Sequence, residues 1–469
     1  MSFEQIKNYK VSAAVIFTAV TLALYLPFFI HTMSLRNLQL KNGENPRMVL
    51  PIYGSDSVGY GILADSLLQR GTLSLREVAP LIPDTFRTPG FPALLAIFKA
   101  VTGSYKYFPL LQIVFVIGTA MLVYKIGKVF SETAGTMAGL LYIFDPTVIF
   151  HALMVTSDTS FTFFLILSVY LLFFRRGEAV FFSAFDSGVL LGIATLIRPI
   201  STYLVIPLVL IYFFVLKSRS VDKKTILMSG WLFVASFILI LAPWFVRNKL
   251  VADTWGLASV QSFNLFHYTI PEFVSFKRGV SPDDVRRELY GELNKRGVIQ
   301  VDSAEIKNAS TLNGISYQYL LSDPVGYVRW HTVKMVPFFL SSGIKNFFYI
   351  YNDVLHYKVY ETSNENLTNF LMRGQFQQFF NVLRGQIFIT TEHILLTIIF
   401  VLMFVPLLKR DKRIFVLLLL GIILYLALPT PPVAYSRFRI PAAPYMFILA
   451  SLGFLMVKDL ILVKIGRIK

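Results

Sequence analysis

Two carboxylates and four arginines stand where this chain passes between apolar and polar stretches. Asp56 lies in GSDSVGYGILADSL (residues 54–67), Arg87 in FRTPGFP, Asp158 in MVTSDTSFTFF and Arg198 in LIRPIS, while Arg437 and Arg439 follow Tyr435 in PPVAYSRFRIPAAP. A carboxylate can take the proton of an attacking hydroxyl, and guanidiniums can hold a departing phosphate through paired N–H donors. Together they suit transfer of a group whose leaving group is a phosphate. Each also has a plain structural use: Asp56 or its rival Ser55 as a helix N-cap, Asp158 as a cap, and the arginines as snorkelling or headgroup contacts. The chain has no Asp-x-Asp string and only scattered histidines. A nucleotide sugar held by a divalent ion is therefore not expected, and no metal ligands are assigned. No cofactor is required by this chemistry, although a divalent metal is compatible with it.

Placed on a helix at about 100° per residue, Asp56, Tyr60, Leu63 and Leu67 fall on one stripe. Asp65 falls on the opposite side, where solvent is expected.

The elements that must position these groups are membrane spans. The chain has 469 residues, 55% hydrophobic and 15% charged, with a mean hydropathy of +0.61. This is the composition of an all-α polytopic membrane protein. Residues 11–31 are long enough to cross about 30 Å of hydrocarbon, and with no small-residue cleavage site after them they read as a retained span. Further spans are expected at about 108–125, 134–151, 158–174, 184–199, 201–216, 225–245, 391–408, 413–428 and 440–457, ten in all. Lys7, Lys10, Lys125, Lys128, Arg175, Arg176, Lys217, Lys223, Lys224, Lys409 and Arg410 then share the side of the termini, which the positive-inside rule makes cytoplasmic. The net charge of +17 is mostly this topology signal, and no basic face for nucleic acid is visible. The absence of cysteine removes disulfides and thiolate chemistry and fits a bacterial inner (plasma) membrane.

Two long segments, 32–107 and about 246–388, fall outside the cytoplasm by parity of the spans. In the first, Pro92 to Gly103 reads as a short interfacial helix preceded by the turn that carries Arg87. In the second, Ser281 to Gly297 reads as a soluble helix, and Asp323-Pro324 starts a helix lying on the membrane surface. The domain organisation read from this is a transmembrane module 1–250 holding the catalytic first outer loop, an extracytoplasmic region 251–388, and C-terminal spans 389–469. No internal repeat is seen, which weighs against many transporters.

Several short strings resemble the GT-C membrane glycosyltransferases, above all bacterial relatives of the dolichyl-phosphate-mannose protein mannosyltransferases and the lipid A aminoarabinose transferase. They are D-S-x-x-Y (Asp56, Ser57, Tyr60), R-x-P-G-F-P from Arg87 to Pro92, the acidic start of a middle span at Asp158, Arg198-Pro199 after Gly192, P-W-x-x-R-N (Pro243, Trp244, Arg247, Asn248) and R-F-x-x-P (Arg437, Phe438, Pro441). The resemblance implies a fold of about ten to thirteen transmembrane helices with juxtamembrane helices in the first outer loop. It implies a sugar delivered on a polyprenyl phosphate and moved to an acceptor lipid, glycan or protein outside the cytoplasm. Asp56 matches the family's base in place, Arg87, Arg198, Arg437 and Arg439 become ligands of the donor phosphate, and Asp158 a possible second carboxylate. Tyr60, Trp244, Arg247 and Tyr435 become pocket residues. Asp56-Ser57 replaces the Asp-Glu of many eukaryotic protein mannosyltransferases, which weakens the case for a protein acceptor, and no W-W-D string suggests an oligosaccharyltransferase. A flippase of lipid-linked sugars is the alternative, but it needs charge along a whole membrane path, and here the charges cluster outward. A scaffold would leave Asp56 without a task.

Overall fold

A computed structural model describes residues 12–52, 54–175, 180–348 and 376–464, and among these residues every regular element is helical. Lys7, Lys10 and Arg176 lie outside the described residues. In chain order the helices are α1 (Ala13–Lys41), α2 (Gly54–Arg70), α3 (Gly90–Thr102), α4 (Phe108–Lys128), α5 (Glu132–Phe144), α6 (Pro146–Ala152), α7 (Asp158–Val169), α8 (Val180–Ile197), α9 (Val205–Ser218) and α10 (Lys223–Ala252). There follow α11 (Val260–Asn264), α12 (Ile270–Arg278), α13 (Pro282–Lys295), α14 (Ala309–Leu321), α15 (Pro324–Leu340), α16 (Phe376–Leu402), α17 (Arg413–Ala427), α18 (Ser436–Arg439) and α19 (Ala443–Lys464).

Six of the ten expected spans are helices long and apolar enough to cross a membrane, in α1, α4, α8, α10, the second part of α16, and α19. The span expected at 134–151 is instead the pair α5 and α6, bent by 55°. Pro146 supplies no N–H and disfavours helical geometry in the residue before it, so Asp145 turns extended and caps α6 by accepting from the Val148 N–H at 3.0 Å. The other three, at Asp158–Phe174, Val205–Ser218 and Arg413–Ala427, are shorter apolar helices. At 1.5 Å per residue they reach only about 21 to 26 Å.

Packing follows the rule for membrane helices, where small residues let backbones approach. A side chain at Gly188 of α8 would lie 2.2 Å from the Phe233 carbonyl of α10. Ser187 and Ser168 exchange hydrogen bonds between α8 and α7, the Ser187 hydroxyl donating to the Ser168 carbonyl at 2.9 Å. One end of the bundle is marked by basic residues bridging its loops: Lys412 Nζ donates to the Val129 carbonyl at 2.7 Å and an Arg219 Nη donates to the Phe173 carbonyl at 3.1 Å. Asp56, Arg87, Asp158, Arg198 and Arg437 gather at the other end, joined by the contacts described below.

Residues 266–330 build a core of their own from Phe266, Ile270, Phe273, Leu289, Leu312 and Trp330. Its helix starts are as the sequence leads one to expect. Ser281 accepts from the Asp284 N–H at 3.1 Å, and Gly297 ends the helix at φ 76°. Asp323 likewise accepts from the Gly326 N–H at 2.9 Å. Helix α16 runs through residue 388, where a boundary was expected.

Asp65 does not face solvent as its place on the helix suggested. Its Oδ1 accepts from Lys99 Nζ at 2.6 Å and from the Tyr105 hydroxyl at 2.7 Å. The carboxylate thus clamps α2 to α3 and the turn after it. At the other end of α3, Gly90 meets α8 so closely that a Cβ would lie 2.5 Å from the Leu196 carbonyl carbon. Substituting Gly90 by alanine should therefore push α3 off α8 and destabilise the protein by ~1–3 kcal/mol. Thermal unfolding in detergent checks this. Gly61→Ala, whose Cβ would come only within 4.0 Å of Tyr105, should show no such loss.

Candidate active site

Helix α2 begins at Gly54, at φ 82°, so Asp56 sits inside the first turn and not at the N-cap position expected for it. An acidic side chain there is favoured by the positive end of the helix dipole. Its side chain is 47% exposed, and Oδ2 accepts from Arg437 Nη1 at 2.9 Å. Arg437 is carried by the single helical turn α18, which packs against α6, α15 and α17.

The same guanidinium reaches a second carboxylate. Arg437 Nε donates to Asp158 Oδ2 at 2.9 Å, and Arg198 pairs with the other oxygen of Asp158. Asp158 is fully buried at the first residue of α7. The turn before it is pinned by Gln112, whose Nε2 donates to the Met154 carbonyl at 2.8 Å, and by the Val155 N–H on the Pro51 carbonyl at 3.0 Å. Arg198 stands where α8 ends in extended backbone, φ −143° and ψ 120°, ahead of Pro199.

Arg87 completes the group. Its Nη2 lies 3.9 Å from Asp56 Oδ1, beyond hydrogen-bond reach, and its guanidinium rests 5.0 Å from the Phe86 ring centre and 5.6 Å from that of Tyr60. Gly59 leaves it room: a Cβ there would be 3.3 Å from Nη2. Tyr60 is itself fixed edge-on against Phe91 at 4.8 Å. Tyr435, 44% exposed, packs against Phe438 at 4.9 Å, and Arg198 lies 5.9 Å from the Phe438 ring centre.

Asp56, Arg87, Asp158, Arg198, Arg437 and Tyr60 are thus brought together, with Tyr435 beside them through Phe438. Three expected site residues serve elsewhere. Arg439 is 1% exposed, and its Nη1 donates to the carbonyls of Phe339 at 3.1 Å and Ser341 at 2.9 Å, while Nη2 reaches Thr147. It ties α15 and α6 together and is corrected from a phosphate ligand to a structural guanidinium. Trp244 donates from Nε1 to the Leu257 carbonyl at 2.7 Å, and Arg247 donates to the Asp84 carbonyl at 2.8 Å while lying 4.5 Å over the Trp244 ring. Arg247 thus holds the turn that carries Arg87, and Trp244 holds the segment that follows α10.

Asp84 was not singled out in the sequence, although its spacing of three from Arg87 was visible there. Its Oδ2 accepts from the Arg87 N–H at 3.2 Å. His151, a lone histidine in an apolar run, also went unremarked. It is 6% exposed, and neither ring nitrogen has a partner among the described residues.

The electrostatics separate Asp56 from Asp84. Burial pushes Asp56 up, but Arg437, Arg87 and Arg198 outweigh it and hold the carboxyl below the usual range. Burial of Asp84 prevails over Arg87 and Arg247 and raises it. Among the described residues no three His, Asp or Glu side chains converge to hold a metal ion. Three guanidiniums against Asp56 and Asp158 leave one positive charge over. This suits the approach of one more anion.

Residues 86–246 match the family model for "Dolichyl-phosphate-mannose-protein mannosyltransferase". That stretch includes Arg87, Asp158, Arg198 and Trp244, whereas Asp56 and Arg437 lie outside it. A comparison with curated proteins finds no match. Among solved structures, the archaeal oligosaccharyltransferase AglB from Archaeoglobus fulgidus, in complex with an inhibitory peptide and a dolichol-phosphate, is similar at a TM-score of 0.48 and 13% identity. The alignment covers 99% of this chain and 52% of that one, so this chain spans about half the length of the structure it matches. Through residues 86–246, then, this helical membrane protein is similar to the dolichyl-phosphate-mannose-protein mannosyltransferases of the GT-C type, the family its sequence strings resemble.

Proposed function

We propose that this protein is a glycosyltransferase that moves a sugar from a polyprenyl-phosphate-linked donor to an acceptor on the extracytoplasmic side of the membrane. The observation that carries this reading is the half-exposed Asp56, held at 2.9 Å by Arg437 and faced by Arg87 at 3.9 Å. Asp56 takes the proton of the acceptor hydroxyl as the hydroxyl oxygen bonds to the anomeric carbon. The bond from that carbon to the phosphate oxygen breaks, and the phosphate leaves with the electron pair, stabilised by the arginines. Arg87 makes the longest contact of the three guanidiniums with a carboxylate and is the first ligand for the phosphate. The donor anion then competes with Asp56 for Arg437 and Arg87. Their grip on the carboxylate loosens, and its basicity rises when the donor is bound.

A transporter of lipid-linked sugars accounts less well for this arrangement, because the linked charges stand together at one end of the bundle.

Asp56→Asn keeps the shape and removes the base, so transfer of a radiolabelled sugar from the polyprenyl-phosphate donor should fall by about 10²–10⁴-fold while the protein stays folded, with only the small loss of thermal stability that goes with its ion pair to Arg437. Retained activity would sink the assignment. At limiting donor, where the groups of the free enzyme govern the rate, the wild type should lose activity only as pH falls below the ordinary carboxyl value of 3.8, through the lowered pKa of Asp56. The stability contributed by its ion pairs is present above that value and is lost over the same descent. Arg87→Lys keeps the charge but loses the planar fork, and should weaken donor binding about tenfold with the fold intact. For the orientation, reporter fusions after Lys128, Lys224 and Arg410 should read cytoplasmic, and fusions between 260 and 340 exported. The reverse pattern would turn the site to the wrong side.

A further inference from the structure

The arginine pair on Asp158 has a neighbour that the proposed chemistry leaves unused. His151 is the sixth residue of α6, the short helix after the break at Asp145, and α6 packs directly against α18. Arg439 of α18 reaches Thr147, one turn before His151 on α6, at 3.2 Å, and the Thr156 hydroxyl donates to the His151 carbonyl at 3.3 Å, two residues before the Asp158 that Arg437 and Arg198 hold. The ring is 6% exposed, and both nitrogens are unpartnered among the described residues. A buried polar group left unpaired costs about 1–3 kcal/mol, so such groups normally meet a partner in the working state. In its neutral form the ring offers one N–H donor and one acceptor. Near Arg437 and Arg198, which together with Arg87 outnumber the carboxylates Asp56 and Asp158 by one, the complementary partner is an oxyanion.

We infer that His151 is a positioning residue for the donor phosphate, donating a ring N–H to a phosphate oxygen that Arg437 and Arg198 hold electrostatically. This rests on the proposed polyprenyl-phosphate donor and adds to it a neutral hydrogen-bond donor that orients the leaving group. A neutral donor suits the place. A fourth cation there would repel Arg437 and Arg198, whereas an imidazole fixes direction without adding charge.

The test uses the full chain in lipid nanodiscs, labelled with 15N-histidine, with farnesyl phosphate and inorganic phosphate as probes. Of the six histidines, the His151 signal is the one absent from the spectrum of His151→Gln. In the wild type it should shift on saturation with farnesyl phosphate. A shift with inorganic phosphate as well supports recognition of the oxyanion alone, and a shift with farnesyl phosphate only supports recognition of the lipid ester. His151→Phe keeps a ring and loses the donor, so farnesyl phosphate should bind about tenfold more weakly or worse, with His151→Gln, which retains an N–H, lying between. Binding by the wild type with an unmoved His151 signal, or equal binding by His151→Phe, overturns the inference and leaves the proposed function standing. No binding of farnesyl phosphate by the wild type overturns the proposed function and the inference with it. Where His151→Phe fails to fold, the wild-type nitrogen shift decides.

Discussion

Arg437 is the constraint on which the site depends, because one planar guanidinium joins two carboxylates from distant parts of the chain. Its Nη1 holds Asp56 of α2 and its Nε holds Asp158 of α7, each at 2.9 Å. A lysine could not do this, since a point charge has no pair of donors set at a fixed angle. Asp158 is fully buried and pairs on its other side with Arg198, so the end of α8 is drawn into the same network. Ion pairs that replace hydration in this way bring little net stability, and their worth lies in fixing which groups face one another. Removing Asp158 would leave two guanidiniums confronting each other, whereas removing Asp56 frees one face of Arg437 while Asp158 still holds the other. The first carboxylate is thus suited to holding the site together and the second to chemistry.

The surroundings show why so short a helix as α18 can carry this load. Arg439, two residues from Arg437, is anchored on the carbonyls of Phe339 and Ser341 at the C-terminal end of α15 and on Thr147 of α6. Ser436 meets Asn346 Nδ2 at 3.1 Å. The residues on either side of Arg437 are therefore tied down by neutral acceptors and donors, and the charged groups are left to Arg437. Across the site, Arg247 at the top of α10 does the same for the turn bearing Arg87, through Asp84, and Trp244 and Asn248 for the segment that follows α10, through Leu257 and Gly256. A site built from loops and helix ends gains its rigidity from such hydrogen bonds to backbone.

Most of the helices were legible in the sequence because apolar runs of span length and helix caps are local signals. Ser281, Asp323, Gly103 and Gly297 all end or begin helices where their types predict. The break at Asp145-Pro146 was equally local, yet the apolar run on both sides reads as one span, and hydropathy does not register a 55° bend. The gathering of Asp56, Arg87, Asp158, Arg198 and Arg437 was legible only as a list of charges at one side. Residues 279 and 381 apart in the chain meet there, and no periodicity encodes that meeting.

The misreadings share one cause. Asp65 is placed by its helical face, Arg439 by its residue type beside Arg437, and Trp244 and Arg247 by a family-like string, as if a polar group there must meet solvent or substrate. In the structure each of them satisfies partners inside the protein: Asp65 takes Lys99 and Tyr105, and Arg439 takes three neutral oxygens. In a chain with 15% charged residues, the demand of buried backbone carbonyls for donors competes directly with function for every arginine. The residues left for chemistry are those whose side chains are not spent on backbone carbonyls, and by that criterion Arg87, resting on Phe86 and Tyr60 with Asp56 at 3.9 Å, stands apart from Arg439 and Arg247, which both donate to carbonyls, although their side chains are identical.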